Sequence, residues 1–180
     1  LPYAINLRLD PATALEIELL QARLVAAGVP ERDVVDQFGA CVTLLTVSDR
    51  VHPDDVTETM ERRAPGFAAA PASLGRPCVV AGATPTLGLR VELGDALRAM
   101  HYAIFICLPE HEVHLHHRPA HWQPHVKLAN ARGGPEAASA LIAALAQGRL
   151  PTACTLDRLE VVRYPPVQAI WQAPLKARAA

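Results

Sequence analysis

The sequence predicts an α+β fold of two pseudo-symmetric lobes, each an antiparallel sheet with helices packed outside it and a central cleft between the sheets. Three observations carry that expectation. The order of elements repeats, each half reading helix, strand, helix, strand, strand, with one extra strand leading the first half. Two short segments, "GACVTLLTV" (39–47) and "QPHVKLAN" (123–130), fall at matching places in the two halves. Apolar and polar residues alternate along the second, and Cys41 and Thr43 take the matching places around Val42 in the first, so polar side chains of the two central strands would meet in the cleft. The chain is therefore expected to be a single bilobal domain over 1–180, an approximate repeat of 1–93 and 94–180.

Each element has its own local reason. "YAINLRL" (3–9) alternates and reads as a strand. Asp10-Pro11 is a helix start, and Leu15, Leu19, Leu20 and Leu24 form an apolar stripe that ends at Gly28. Residues 40–47 read as the next strand, and Pro53 opens a shorter helix that stops near Pro65-Gly66. "RPCVVAGA" (76–83) and "TLGLRVEL" (86–93) read as paired strands joined near Pro85. A helix over 95–107 would bury Leu97, Tyr102, Ile104 and Phe105. After a polar loop and the strand 124–130, Gly133-Gly134-Pro135 opens a helix closed by Gly148. The strands 156–164 and 167–173 complete the second half.

Composition narrows the function classes. Over 180 residues the net charge is −1, so no global field is present to hold long duplex nucleic acid, and any anion needs a local pocket. No apolar run reaches the roughly 18 residues of a membrane span, and the N-terminus lacks the basic start and apolar block of a signal peptide. The four cysteines are far apart with no C-x-x-C, which suits a reducing cytoplasm better than a zinc ribbon or disulfide scaffold. Lysine is scarce: Lys127 and Lys176 stand against fifteen arginines, which makes a lysine on an inward strand face conspicuous.

The strand pattern puts His125 and Lys127 on one face and Val126 and Leu128 on the other. Cys41 and Thr43 occupy the matching places around Val42, 84 residues earlier. In element order and motif separation the chain resembles the two-histidine phosphoesterases, which include the 2′-5′ RNA ligase-like and 2′,3′-cyclic phosphodiesterase proteins. Their mark is a pair of His-x-Thr/Ser motifs, one per lobe, facing a central cleft. "QPHVKLAN" looks like the second motif and "GACVTLLTV" lies where the first belongs. Each departs at one position: Cys41 stands in the first histidine place, and Lys127 in the second Thr/Ser place.

The resemblance implies two histidines working as general base and general acid across a phosphorus, with hydroxyls holding the phosphate. Histidine has the pKa for that work, whereas a cysteine near about 8.5 mostly does not. Losing one proton-transfer partner removes about 10²- to 10⁴-fold of rate. Phosphate binding is spared: Lys127 is a point charge suited to a phosphoryl oxygen, and Thr43 keeps a hydroxyl. Lys127 would also lower the pKa of His125 by like-charge repulsion. The expected site is thus His125 and Cys41 as the acid–base positions with Thr43 and Lys127 on the phosphate. Trp122 and Phe38 flank the motifs and are the candidates for stacking on a base.

The expected function is binding of a phosphate ester, such as a cyclic nucleotide or RNA end, with weak or absent standard hydrolysis and no cofactor. An active phosphoesterase pairing His125 with Cys41 or a loop histidine is the enzymatic alternative, and a thiolate–imidazole nucleophile at Cys41 is a variant of it. A third reading comes from "HEVHLHHRPAHWQPH" (111–125), where His114 and His116 have a spacing that can chelate a metal. No cysteine or second carboxylate sits at ligand spacing, so that segment reads rather as a polar loop over the cleft, adding pH-dependent positive charge. "ARGGPEA" lacks the glycine spacing and Lys-Ser/Thr ending of a phosphate loop.

Overall fold

The computed structural model describes residues 2–34, 38–81, 84–92, 94–132, 134–146 and 148–177. Its seven strands are β1 (Tyr3–Leu9), β2 (Cys41–Val47), β3 (Ala70–Val80), β4 (Thr86–Val91), β5 (His125–Asn130), β6 (Ala153–Arg163) and β7 (Gln168–Pro174). The helices are α1 (Pro11–Ala26), the short α2 (Glu31–Val34), α3 (Pro53–Arg63), α4 (Asp95–Phe105) and α5 (Gly134–Ala146). The mixture of helices and antiparallel strands is the fold class expected. Residues 82–83, 93 and 133, which the expected elements reached, lie outside the described residues.

Every pairing among these seven described strands is antiparallel, and the pairings interleave the two halves of the chain. One group runs β7-β6-β1-β2 and the other β3-β4-β5. The groups join where Ala70–Ser73 of β3 pairs with Ala153–Leu156 of β6, and again at one rung, Val42 opposite Val126. The first-half hairpin β3–β4 therefore continues into the second-half strand β5, while β1 sits between β2 and β6.

Local chemistry starts the helices where the sequence places them. Asp10 caps α1: its carboxylate accepts from the Thr13 amide at 3.0 Å and the Thr155 amide at 2.8 Å. Burial works to raise the Asp10 pKa, but these hydrogen bonds outweigh it and hold the carboxyl below its usual value. Pro11 and Pro53 both occupy the first helical turn, where the missing N–H costs nothing.

Two expected helix faces are corrected by the structure. In α1 the buried line is Thr13, Ile17, Leu20 and Leu24, while Leu15 and Leu19 are exposed. Steps of four, three and four residues stay on one helical face; Leu15 lies about two residues from Ile17 and points away. In α4 the buried line is Leu97, Met100, His101 and Ile104, leaving Tyr102 exposed. The core is filled from the strands by Ile5, Leu7, Leu44, Leu89, Leu128 and Leu159, each 0% exposed. Among the described residues no helix is long and apolar enough to cross a membrane.

Candidate functional site

The single rung between β2 and β5 organises the site. Val42 and Val126 are completely buried, and strand alternation turns Cys41, Thr43, His125 and Lys127 to the opposite face. All four line one cleft of about 270 Å³. Because the strands are antiparallel, one step along the rung sets Thr43 opposite His125, and one step the other way sets Cys41 opposite Lys127. The two residues that match the His-x-Thr/Ser pattern are thus cross-strand neighbours, and so are the two that depart from it.

His125 is oriented by its own chain. Its Nδ1 lies 2.8 Å from the Gln123 carbonyl, which can only accept, so Nδ1 carries the proton and Nε2 keeps the lone pair in the neutral ring. Burial is the main force lowering its pKa; the Gln123 bond works the other way, and the Lys127 ammonium adds to the lowering. The expected repulsion by Lys127 is present but secondary. On β4, Gly88 gives the ring its room: a Cβ there would meet the Val126 carbonyl oxygen at 2.7 Å and His125 Cδ2 at 2.9 Å.

Thr43 is tied to a buried polar row that sequence reasoning missed. Asn6 pairs with Thr43 across β1–β2 and with Glu160 across β1–β6. Glu160, a carboxylate 3.6 Å from the Arg8 guanidinium, accepts from Asn6 Nδ2 at 3.2 Å. That fixes the Asn6 amide so that its oxygen faces Thr43, whose hydroxyl donates to it at 3.0 Å. Arg8 also donates to the Phe38 carbonyl. The sequence carries the signal: Asn6 lies between Ile5 and Leu7, and Glu160 lies between Leu159 and Val161.

The aromatic rings take unequal positions. Trp122 is buried, donates its indole N–H to the Thr43 carbonyl at 3.0 Å, and stacks on His101 with centroids 3.9 Å apart. Phe38 meets Tyr164 edge-on at 5.0 Å. Both Trp122 and Phe38 line the cleft, but one face of the indole is already covered. His101 donates to the His117 carbonyl at 2.8 Å and so ties α4 to the histidine-rich segment.

That segment reaches the same cleft through His114, His116 and His117. The ring of His114 lies 5.2 Å from that of His116 and 6.0 Å from that of His117. Burial, then the charges of His114, His125, His101 and His116, push the His117 pKa down to about 3. Among the described residues no three His, Cys, Asp or Glu side chains are grouped to hold a metal ion, so the His114–His116 pairing finds no third ligand there. No aspartate or glutamate occurs among the described residues lining the cleft.

A family model for the 2′-5′ RNA ligase superfamily matches residues 33–167, a span that contains both central strands. The chain belongs to that superfamily. Solved structures agree on the two-histidine phosphoesterase fold. The chain is similar to TT0787 of Thermus thermophilus at 16% identity and a TM-score of 0.68, covering 99% of this chain and 100% of that one. It is similar to E. coli LigT at 10% identity and a TM-score of 0.60, covering 98% and 99%. LigT complexed with 3′-AMP matches at 10% identity and a TM-score of 0.57, covering 97% of both chains. At such identities the likeness to these solved structures establishes the fold alone. No curated protein matches the chain.

Proposed function

We propose that this protein binds a small phosphate ester, a cyclic nucleotide or RNA end, in a degenerate two-histidine site with weak or no standard hydrolysis. The observation that carries the reading is the lining of the cleft: His125, Lys127 and three further imidazoles face it, with no carboxylate among its described residues. Such a lining favours an anion. Lys127 sets a charge on the phosphoryl oxygens, and His125 Nε2 meets the ester as base or, once protonated, as donor. Thr43 presents lone pairs because its proton is committed to Asn6. Cys41, opposite Lys127, supplies a thiol where an imidazole would complete the acid–base pair. Phe38 is the better placed of the two rings to meet a base, with Trp122 as the floor. LigT has been seen with 3′-AMP, which supports a nucleotide here. Residues 1–180 act in this reading as one bilobal unit, and Cys41, Cys78, Cys107 and Cys154, none of them in a disulfide, fit the cytoplasm.

Titration with adenosine 2′,3′-cyclic phosphate tests the proposal. Saturable binding that weakens at least about tenfold in Lys127→Met supports it, since a hydrogen bond to a charged group contributes about 1.5–3 kcal/mol. Equal affinity in the two proteins, or no binding, contradicts it. A second reading is an active phosphoesterase using His125 with Cys41 or a loop histidine. It is favoured by His117, which lines the same cleft and lies close enough to sense the charge of His125. Turnover abolished by His125→Ala would establish that reading.

A further inference from the structure

The histidine-rich segment is more firmly built than a surface loop requires. Val113 bridges to Val47 at the end of β2, and the His114 amide donates to the Thr46 carbonyl at 2.9 Å. The Ser48 amide donates to the Glu112 carbonyl at 2.9 Å, and Arg118 Nε to the Val113 carbonyl at 3.1 Å. With the His101 bond to His117, these ties hold two exposed imidazoles, His114 and His116, in the wall of the cleft.

The carboxylates of the segment are turned to other partners. Glu110 reaches Arg118 at 3.5 Å, and Glu112 reaches His111 at 3.4 Å and Arg50 at 3.9 Å. From the other elements the imidazole pair faces His125 and Lys127 of β5, buried His101 of α4, and the uncharged Thr46 and Tyr164. His117 senses both His114 and His125. The cleft therefore holds, besides the Lys127 ammonium, a pair of exposed imidazoles with ring centroids 5.2 Å apart.

We infer that His114 and His116 form a second phosphate subsite, so that the ligand is a cyclic nucleotide or RNA end carrying another phosphate besides the one at His125. This rests on the phosphate-ester reading of the cleft. A bound phosphate favours the imidazolium form of His114, and both rings carry an N–H to donate to its oxygens. Burial first, then the charges of His116 and Arg118, hold the His114 pKa below its ordinary value, so affinity for the second phosphate rises as pH falls.

The test compares adenosine 2′,3′-cyclic phosphate with its 5′-phosphorylated form and with a dinucleotide ending in the same cyclic phosphate. The expected result is an affinity advantage of at least about tenfold for an added phosphate at about pH 6, shrinking toward about pH 8. A 5′-monophosphate source and an internucleotide source are separated by which of the two longer ligands gains. His114→Gln/His116→Gln should abolish the advantage, whereas His114→Arg/His116→Arg should keep it and remove its pH dependence. Thermal melting of each variant checks that it is folded. If the plain cyclic nucleotide binds and neither longer ligand gains, the inference fails while the phosphate-ester reading stands. If no ligand binds, both fail.

Discussion

The hydroxyl of Thr43 donates to Oδ1 of Asn6 at 3.0 Å, and that bond turns a cleft-lining proton toward the sheet instead of the ligand. The cause lies two strands away, where Glu160 takes the Asn6 amide and leaves only its oxygen for Thr43. Thr43→Val keeps the side-chain shape but strands that buried oxygen, so stability should fall by about 1–3 kcal/mol. Affinity for adenosine 2′,3′-cyclic phosphate should fall less than in Lys127→Met. Denaturant unfolding and titration check the two halves, and an equal loss of affinity would show that Thr43 turns outward in the complex.

Gly88→Ala should damage the site from the neighbouring strand. The added methyl would lie 2.7 Å from the Val126 carbonyl and 2.9 Å from the His125 ring, and the backbone contact cannot be relieved by a rotamer change. Overpacking of this kind costs about 1–3 kcal/mol. A shifted His125 ring resonance together with a lower melting temperature would register it. Gly66, with nothing within 4 Å of an added Cβ, is the control.

Lys127→Met should raise the pKa of His125 while leaving it below the ordinary histidine value, because burial is the larger cause of the lowering and remains. An NMR titration of the imidazole resonances reads this directly. No change on removing Lys127 would mean that the two charges do not sense each other.

His117 should make the fold sensitive to acid. Its folded pKa is pushed down to about 3, against about 6.5 unfolded. Between those values the unfolded chain binds a proton that the folded chain does not, so stability rises with pH there and is lost as pH falls below about 6.5. His117→Gln should flatten this slope by up to about 1.4 kcal/mol per pH unit. Denaturant midpoints across that range test it, and parallel curves for the two proteins would contradict it.

Much of this architecture is legible in the chain because local rules suffice. The Pro starts of α1 and α3 and the alternation in β5 need no tertiary information. The helix faces were misread where several leucines compete, as at Leu15 and Leu19 in α1, because packing partners decide which stripe is buried. The exchange of strands between halves was not legible, since pairing of β3 with β6 is a long-range choice. At the site, the four residues around Val42 and Val126 could be paired by register, while the Thr43 hydroxyl direction could not. It depends on Asn6 and Glu160, which meet only when β1 lies between β2 and β6.

In the proposed function the cleft keeps phosphate binding and lacks one of the two proton-transfer groups. Phosphorus NMR of adenosine 2′,3′-cyclic phosphate, followed over time with wild type, His125→Ala and Cys41→His/Lys127→Thr, tests it most directly. The account predicts that wild type perturbs the cyclic phosphate resonance without converting it, while the double variant produces the ring-opened monophosphate. Steady conversion by wild type that stops in His125→Ala would contradict the account and make this site a working phosphoesterase.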